Sequence, residues 1–273
     1  MTDLPECKTL LLNQDGPTLH ITLNRPEARN AMSLAMVEEL DRVFVAIEPD
    51  PSVRAVVLRG AEGHFCAGGD IKDMAQARAA AKNADEDPFF KLNRAFGDLI
   101  TRVDRAPQVV IAVIQGAVMG GGFGLACVSD VAIAEAGARF GLPETGLGIP
   151  PAQIAPFVVK RLGLTQARRL ALLGLRVDGH EAQRLGLVHE VAESADGLNA
   201  KLNAILERVR HCGPNANRMT KSLLLRAGEE PLEGLLDDAA KMFSQAIQSE
   251  EGQEGAMAFM AKRPPKWATS EEG

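Results

Sequence analysis

Apolar positions along the chain follow two rhythms that take turns. Leu10-Leu11-Leu12 and Thr18 to Leu23 are short apolar runs on either side of Asp15-Gly16-Pro17, a turn signal, so the chain is expected to open with a hairpin. Met36, Val37, Leu40, Val43, Phe44 and Ile47 then recur at three and four residues, the stripe of an amphipathic helix, with Ser33 as N-cap and Pro49 and Pro51 as its stop. Val53 to Leu58 is short and β-branched, a buried strand that Gly60 to Gly63 ends. A second cycle follows, with a helix over Phe89 to Val103, a strand over Val109 to Ile114, a glycine-rich turn and a strand over Val131 to Ala134. Repeated strand-helix-strand units place the chain in the α/β class.

Between the cycles, Gln76 to Asp87 is alanine-rich and charged without apolar periodicity, and is expected to be a mobile flap. From Leu164 the pattern turns helical, over Thr165 to Leu173, Gly179 to Leu185, Leu198 to Val209, Asn215 to Leu225 and Leu232 to Gln248. Asp178 with Glu181 forms a capping-box-like pair, and Gly186 stands where a C-terminal glycine belongs. The organisational boundary is placed near residue 195, giving a core over 1–195 and a helical C-terminal region over 196–273.

Composition narrows the function. Of 273 residues 46% are hydrophobic, enough for a sizeable core, and the net charge of −6 is spread without a long basic run, so nucleic acid is not an expected partner. The start, Met1-Thr2-Asp3-Leu4-Pro5-Glu6, has no basic and apolar leader pattern, and no apolar run reaches the length of a membrane span, so a cytoplasmic protein without a membrane partner is expected. Cys7, Cys66, Cys127 and Cys212 stand apart with no CxxC pair, as reduced thiols do. His20, His64, His180, His189 and His211 are scattered, with no HExxH, so no metal site is expected, and no GxSxG elbow points to a serine hydrolase.

Three segments carry candidate chemistry. Phe65 to Ile71 (FCAGGDI) puts small residues and an acid between a strand and a helix; it is either a turn exposing backbone N–H groups or an ordinary tight turn. Gly116 to Leu125 (GAVMGGGFGL) opens a short apolar helix, whose first amides attract negative charge. The chain lacks GxxxxGK[ST] and lacks GxGxxG after its first strand, which leaves a nucleotide site weakly supported. Ala138 to Glu144 (ARFGLPE) sets a carboxylate in apolar surroundings that raise its pKa toward that of a proton-transfer group; Glu144 could also simply start the next helix.

In this order, FCAGGDI, GGGFGL and FGLPE, together with Leu23 to Ala31 (LNRPEARNA) and Ser129-Asp130, resemble the crotonase (enoyl-CoA hydratase/isomerase) family nearly end to end. That resemblance implies a crotonase spiral of ββα repeats, with a helical C-terminal region that packs in homotrimers paired into hexamers. It implies an oxyanion hole made by the backbone N–H groups of Ala67 and Gly121, with Glu144 moving protons. It lays coenzyme A along Arg25 to Ala28 and along Ala67, Gly68, Gly69 and Asp70. Phe259 and Lys262, of a C-terminal F-x-x-K segment, approach the nucleotide end from a neighbouring subunit; read alone, Lys262 is a solvated lysine of a charged tail. The acyl-CoA thioester supplies the electron sink, so no separate cofactor is expected.

Two departures refine the expectation. The best-known hydratases of the family carry two glutamates around the water, and the first falls at Gly124 here, leaving Glu144 alone. The stretch Leu147 to Arg161 (LGIPPAQIAPFVVKR) is similar to hydratases of 3-methylglutaconyl-CoA and its isohexenyl relative. The expected activity is therefore addition of water across the 2,3-double bond of a 3-substituted glutaconyl-CoA. An isomerase, a lyase or a non-catalytic acyl-CoA-binding protein of the same fold are the alternatives. A group must meet the distal carboxylate of such a substrate, and no residue of the sequence stands out for it.

Overall fold

The computed structural model describes residues 3–80 and 87–269. The opening hairpin forms from β1 (Leu10–Asp15) and β2 (Thr18–Leu23), antiparallel, with Leu12 opposite Ile21 and Gly16 at φ +53 in the turn. Helix α1 (Leu34–Ile47) starts where Ser33 Oγ accepts the Met36 N–H at 3.2 Å, and every residue of the expected apolar stripe is buried. Its buried face also carries Glu39, whose carboxylate accepts the N–H groups of Lys8 and Thr9 and the Thr9 hydroxyl, tying the chain before β1 to the helix.

The remaining core strands are β3 (Ala55–Gly60), β4 (Val109–Ile114), β6 (Val131–Glu135) and β9 (Glu190–Ala192). They extend the hairpin into a six-stranded sheet ordered β1-β2-β3-β4-β6-β9, parallel from β2 onward. Both faces are covered, which is why these strands appear in the sequence as continuous apolar runs. Val56, Leu58, Val110, Ala112, Ala132 and Ala134 face the larger core with α1, whereas Val57, Ile111, Val113 and Ile133 face Leu198 and Leu202 of α7 (Ala195–His211).

Each long strand is followed by a short one that leaves the main sheet. Met32 bridges Gly69, Cys66 bridges Val118 of β5 (Ala117–Met119), and β5 pairs with β7 (Arg139–Gly141), all parallel. After each short rung comes a helix: α1, then α2 (Ile71–Ala80) with α3 (Pro88–Arg105), then α4 (Gly121–Val128), then α5 (Ala155–Leu173). This is the expected α/β spiral of ββα repeats. The rungs stack over the ends of the main strands, and that stacking brings residues 66–70, 116–121 and 140–144 side by side.

Several expectations need correction. Gln76 to Ala80 completes α2 rather than belonging to a flap, Asp87 is the N-cap of α3 through its bond to the Phe89 N–H, and residues 81–86 lie outside the described residues. Helix α5 begins at Ala155 rather than Thr165: Pro156 sits in its first turn, where a missing N–H costs nothing, and Gly163 at φ +73 breaks it midway. β8 (Arg176–Val177) and α6 (Gly179–Arg184) follow, the latter capped by Asp178 as expected. The C-terminal region holds α8 (Pro214–Arg226), α9 (Leu232–Gln248) and an unforeseen α10 (Glu250–Met260), capped by Ser249. No described helix is long and apolar enough to cross a membrane.

Candidate active site

The turn after β3 is pinned from three sides. Cys66 donates to the Ala117 carbonyl and accepts from Met119, both at 2.9 Å, which fixes the turn to β5. Gly68 lies at φ +104 and its carbonyl accepts the Met32 N–H at 2.7 Å. Asp70 receives Arg25 Nη2 at 2.6 Å and the Lys72 N–H at 2.7 Å, while Arg25 Nη1 donates to the Ala31 carbonyl at 2.6 Å. Burial pushes the Asp70 carboxyl up, yet Arg25 and the Lys72 amide outweigh it and hold the group below its ordinary range. Arg25 is thus engaged as a clamp between its own loop and the 66–70 turn. The thiol of Cys66 is buried and pushed up to about 11, that of Cys127 to about 12, so both are inert packing groups.

The loop over Arg25 to Asn30 meets this turn directly. Arg29 and Asn30 both adopt left-handed backbone (φ +49 and +56), a conformation asparagine tolerates better than most residues. Asn30 is fully buried; its Oδ1 accepts the Arg25 N–H, and its Nδ2 donates to the carbonyls of Ala61 and His64. The kink carries the Arg29 carbonyl onto the Ala67 N–H at 3.0 Å. The Ala67 amide, expected as a free donor, is therefore already donating. Gly121, by contrast, is the first residue of α4, and the first N–H groups of a helix have no acceptor within it.

Glu144 stands against this pair of turns. It is the first residue of a short 3₁₀ turn (Glu144–Leu147), so it does start a helical element, and its side chain still points back to the glycines. A Cβ at Gly120 would lie 2.9 Å from Glu144 Oε1 and 3.6 Å from Gly68 Cα, and Gly120 is itself at φ +49, so only glycine fits between the two turns. Glu144 Oε2 is buried and has no hydrogen-bond partner. Burial raises the carboxyl above the ordinary glutamate value, offset only in part by its own backbone N–H. A half-buried acid with one unpartnered oxygen beside amides at a helix start is equipped to take and return a proton next to developing negative charge.

Opposite this acid the site is apolar. A Cβ at Gly124 would fall 2.5 Å from Ile154 Cγ2 and 2.9 Å from Ile100 Cδ1, so the position where a second acid was expected to be missing is filled by two isoleucines. Phe96 packs its ring at 3.2 Å from where a Gly121 Cβ would be. Phe96, Ile100 and Ile154, which pack over Gly121 and Gly124, are neighbours of the site that the sequence did not single out, and Asn93, Arg94 and Gln153 gather at Gly97, one turn before Ile100. The spacing of Phe96 and Ile100 on one helix face was the available signal.

The other expected coenzyme contacts separate by place. Ala28, Gly69 and Asp70 lie on the two loops that Arg25 joins, Ala28 donating to the Arg25 carbonyl at 3.0 Å and Asp70 to that of Met32. Phe259 and Lys262 stand at the end of α10, which packs on α9; Phe259 is 86% exposed, and the Lys262 N–H donates to the Phe259 carbonyl. Neither has a described contact with the Glu144 cluster of its own protomer. Among the described residues no three His, Cys, Asp or Glu side chains gather as a metal site would require.

Residues 14–270 match the family model described as enoyl-CoA hydratase/isomerase. Among solved structures, the chain is similar to an enoyl-CoA hydratase/isomerase from Marinobacter aquaeolei, with 64% identity and a TM-score of 0.93 over 96% of this chain and 100% of that one. It is likewise similar to Pseudomonas aeruginosa AtuE, with 61% identity and a TM-score of 0.93 over the same shares. It is 32% identical over 257 residues to the 2,3-dehydroadipyl-CoA hydratase of Escherichia coli K12, covering 94% of this chain and 97% of that protein.

Proposed function

The chain belongs to the enoyl-CoA hydratase/isomerase family, and from that premise we propose that it hydrates the 2,3-double bond of a 3-substituted glutaconyl-CoA, methylglutaconyl or isohexenylglutaconyl, with Glu144 as its sole acid–base group. Glu144 as carboxylate takes a proton from water while the water oxygen bonds to C3. The π electrons move onto the thioester oxygen, and the protonated Glu144 then delivers its proton to C2. The N–H of Gly121, with that of Ala67, receives the charge on the thioester oxygen; the Arg29 carbonyl must share or release the Ala67 proton for this. Removing one such donor costs roughly 10²- to 10³-fold in rate.

The observation that carries this reading is the Glu144 carboxyl, whose Oε1 lies against Gly120 while its Oε2 is buried and unpartnered. Buried polar atoms are almost always paired in folded proteins, and an orphan in a cleft calls for a ligand or a proton. The finer substrate assignment is supported by the PAQIAPFVV stretch. A relative named for 2,3-dehydroadipyl-CoA, itself an acyl chain ending in a carboxylate, adds to it. Coenzyme A enters as part of the substrate along the 25–28 and 67–70 loops, the reaction uses no metal or redox cofactor, and the working unit is a homotrimer or hexamer in which Phe259 and Lys262 reach a neighbour's nucleotide.

The test is the loss of conjugated-enoyl absorbance with 3-methylglutaconyl-CoA and crotonyl-CoA, for wild type and Glu144→Gln. Hydration of the glutaconyl thioester is expected, with a loss of about 10²-fold or more in the variant at unchanged circular dichroism. Undiminished turnover without Glu144 would remove it from the mechanism. Double-bond migration without hydration would favour an isomerase, and turnover of neither thioester would favour a lyase or a binder.

A further inference from the structure

Helix α3 contains a buried glycine in its interior, Gly97, where glycine costs about 1 kcal/mol relative to alanine. A Cβ there would stand 2.1 Å from Gln153 Oε1 and 2.6 Å from Arg94 Nη1. A carboxamide and a guanidinium thus converge on a hollow in the helix surface that a side chain would close. Gln153 is held in place by its Nε2, which donates to Asn93 Oδ1 at 2.8 Å. Arg94 is held by Nη2, 2.6 Å from Asp98 Oδ1, and its other nitrogen leans over Gly97.

The same turn of α3 builds the wall of the reaction centre. Phe96 lies against Gly121, and Ile100 against Gly124, beside Ile154, the residue that follows Gln153. Arg94 starts about 200° around the helix from Phe96, and its guanidinium comes to this side by leaning over Gly97, which lies one turn before Ile100 on the same face. A substrate whose thioester oxygen sits on Gly121 and whose chain passes Phe96 toward the Gly97 hollow meets that guanidinium at its far end.

We propose that Arg94, assisted by the side-chain N–H groups of Asn93, whose Oδ1 is held by Gln153, binds a carboxylate at the distal end of the acyl chain, an inference that rests on the enoyl-CoA reading of the site. A guanidinium is the group best matched to a carboxylate, through paired N–H donors. Its present partner is exposed, with side-chain exposures of 48% for Arg94 and 57% for Asp98, and exposed ion pairs contribute little. Exchanging Asp98 for the substrate carboxylate is then a small cost, and until exchange Asp98 keeps the guanidinium at the helix surface.

The test is binding, by isothermal titration, of two saturated thioesters to the full-length protein: glutaryl-CoA, which ends in a carboxylate, and butyryl-CoA, which does not. Wild type is expected to prefer glutaryl-CoA by about 10- to 100-fold, the range of one charge-assisted contact. Arg94→Met should abolish that preference and leave butyryl-CoA binding within about twofold, with Arg94→Lys falling between. No preference in wild type, a preference that survives Arg94→Met, or an equal loss of both ligands overturns the assignment. If wild type shows the preference and Arg94→Met removes it, yet no enoyl thioester is hydrated, the hydratase reading fails while the carboxylate site stands. If hydration of the glutaconyl thioester is strong and the preference ignores Arg94, the carboxylate site fails alone.

Discussion

At Gly124 the absence of a side chain is enforced by its neighbours. The isoleucines that would touch a Cβ there are both buried, so an acid restored at this position has no room. Gly124→Glu is expected to destabilise the fold by more than the usual ~1–3 kcal/mol of core overpacking, since it also buries a charge. Pairing it with Ile154→Ala should recover part of that loss, because the closest clash is with Ile154. Urea denaturation of the two variants checks this, and a double variant no more stable than the single one contradicts the account. The sequence showed that an acid was missing at 124, and that Glu144 was an acid in apolar company. It could not show what fills the gap, because Ile100 comes from α3 and Ile154 from the turn that leads into α5. It likewise showed Arg25 and Asp70 as members of two loops, but their ion pair exists only once the rungs stack. Arg29 and Asn30 are the opposite case: left-handed asparagine is a known habit of the residue, yet that the kink places a carbonyl on the Ala67 amide depends on tertiary approach.

Strongly periodic elements were legible and contextual ones were not. The stripe of α1 and the apolar runs of β3, β4 and β6 follow from burial on one face or two, and burial leaves its period in the residues. β7, β8 and β9 are two or three residues long, and their extended form is imposed by pairing, so no local signal marks them. Prolines around 150 to 156 look like a break, but one of them begins α5. The tie between α1 and the chain before β1 also escaped notice, because a glutamate on a buried face resembles an error in the pattern. Burial alone lifts the Glu39 carboxyl, but the Thr9 hydroxyl and the Lys8 and Thr9 amides outweigh it and hold it below its ordinary value. A group lowered on folding contributes stability above its unfolded pKa, about 4.3, and that stability is lost as pH falls through the folded value. Glu39→Gln replaces an acceptor oxygen with a donor facing donors, and should cost about 1.5–3 kcal/mol near neutrality. The difference from wild type should shrink as pH drops below about 4.3. Denaturant midpoints at neutral and acidic pH check the sign; a gap that widens in acid would reverse it.

Across the whole molecule, the polar and apolar surfaces are unevenly shared. Helix α7 lies on the main sheet through Leu198 and Leu202, and α8 is fastened by Lys221, which donates to Asp130 at 2.6 Å and to the Gln108 carbonyl at 3.1 Å. Helix α9 is different: of its 17 residues Leu235 is buried, while Leu232, Leu236, Phe243 and Ile247 are each more than half exposed. Those four recur at four, seven and four residues, one face of the helix, and Phe259 and Met260 at the end of α10 add to the exposed apolar area. Such a face is rarely left in water unless something covers it. If the face is shared between copies, sedimentation should give a multiple of three times the 29.1 kDa chain, and Leu236→Glu with Phe243→Glu should return single chains with unchanged helix content. Activity should then fall as well, since Phe259 and Lys262 would no longer meet a neighbour's nucleotide, whereas the Glu144 cluster, built within one protomer, stays assembled. A wild-type protein that sediments as a single chain with full activity would mean that α9 serves another partner and that one protomer binds coenzyme A unaided.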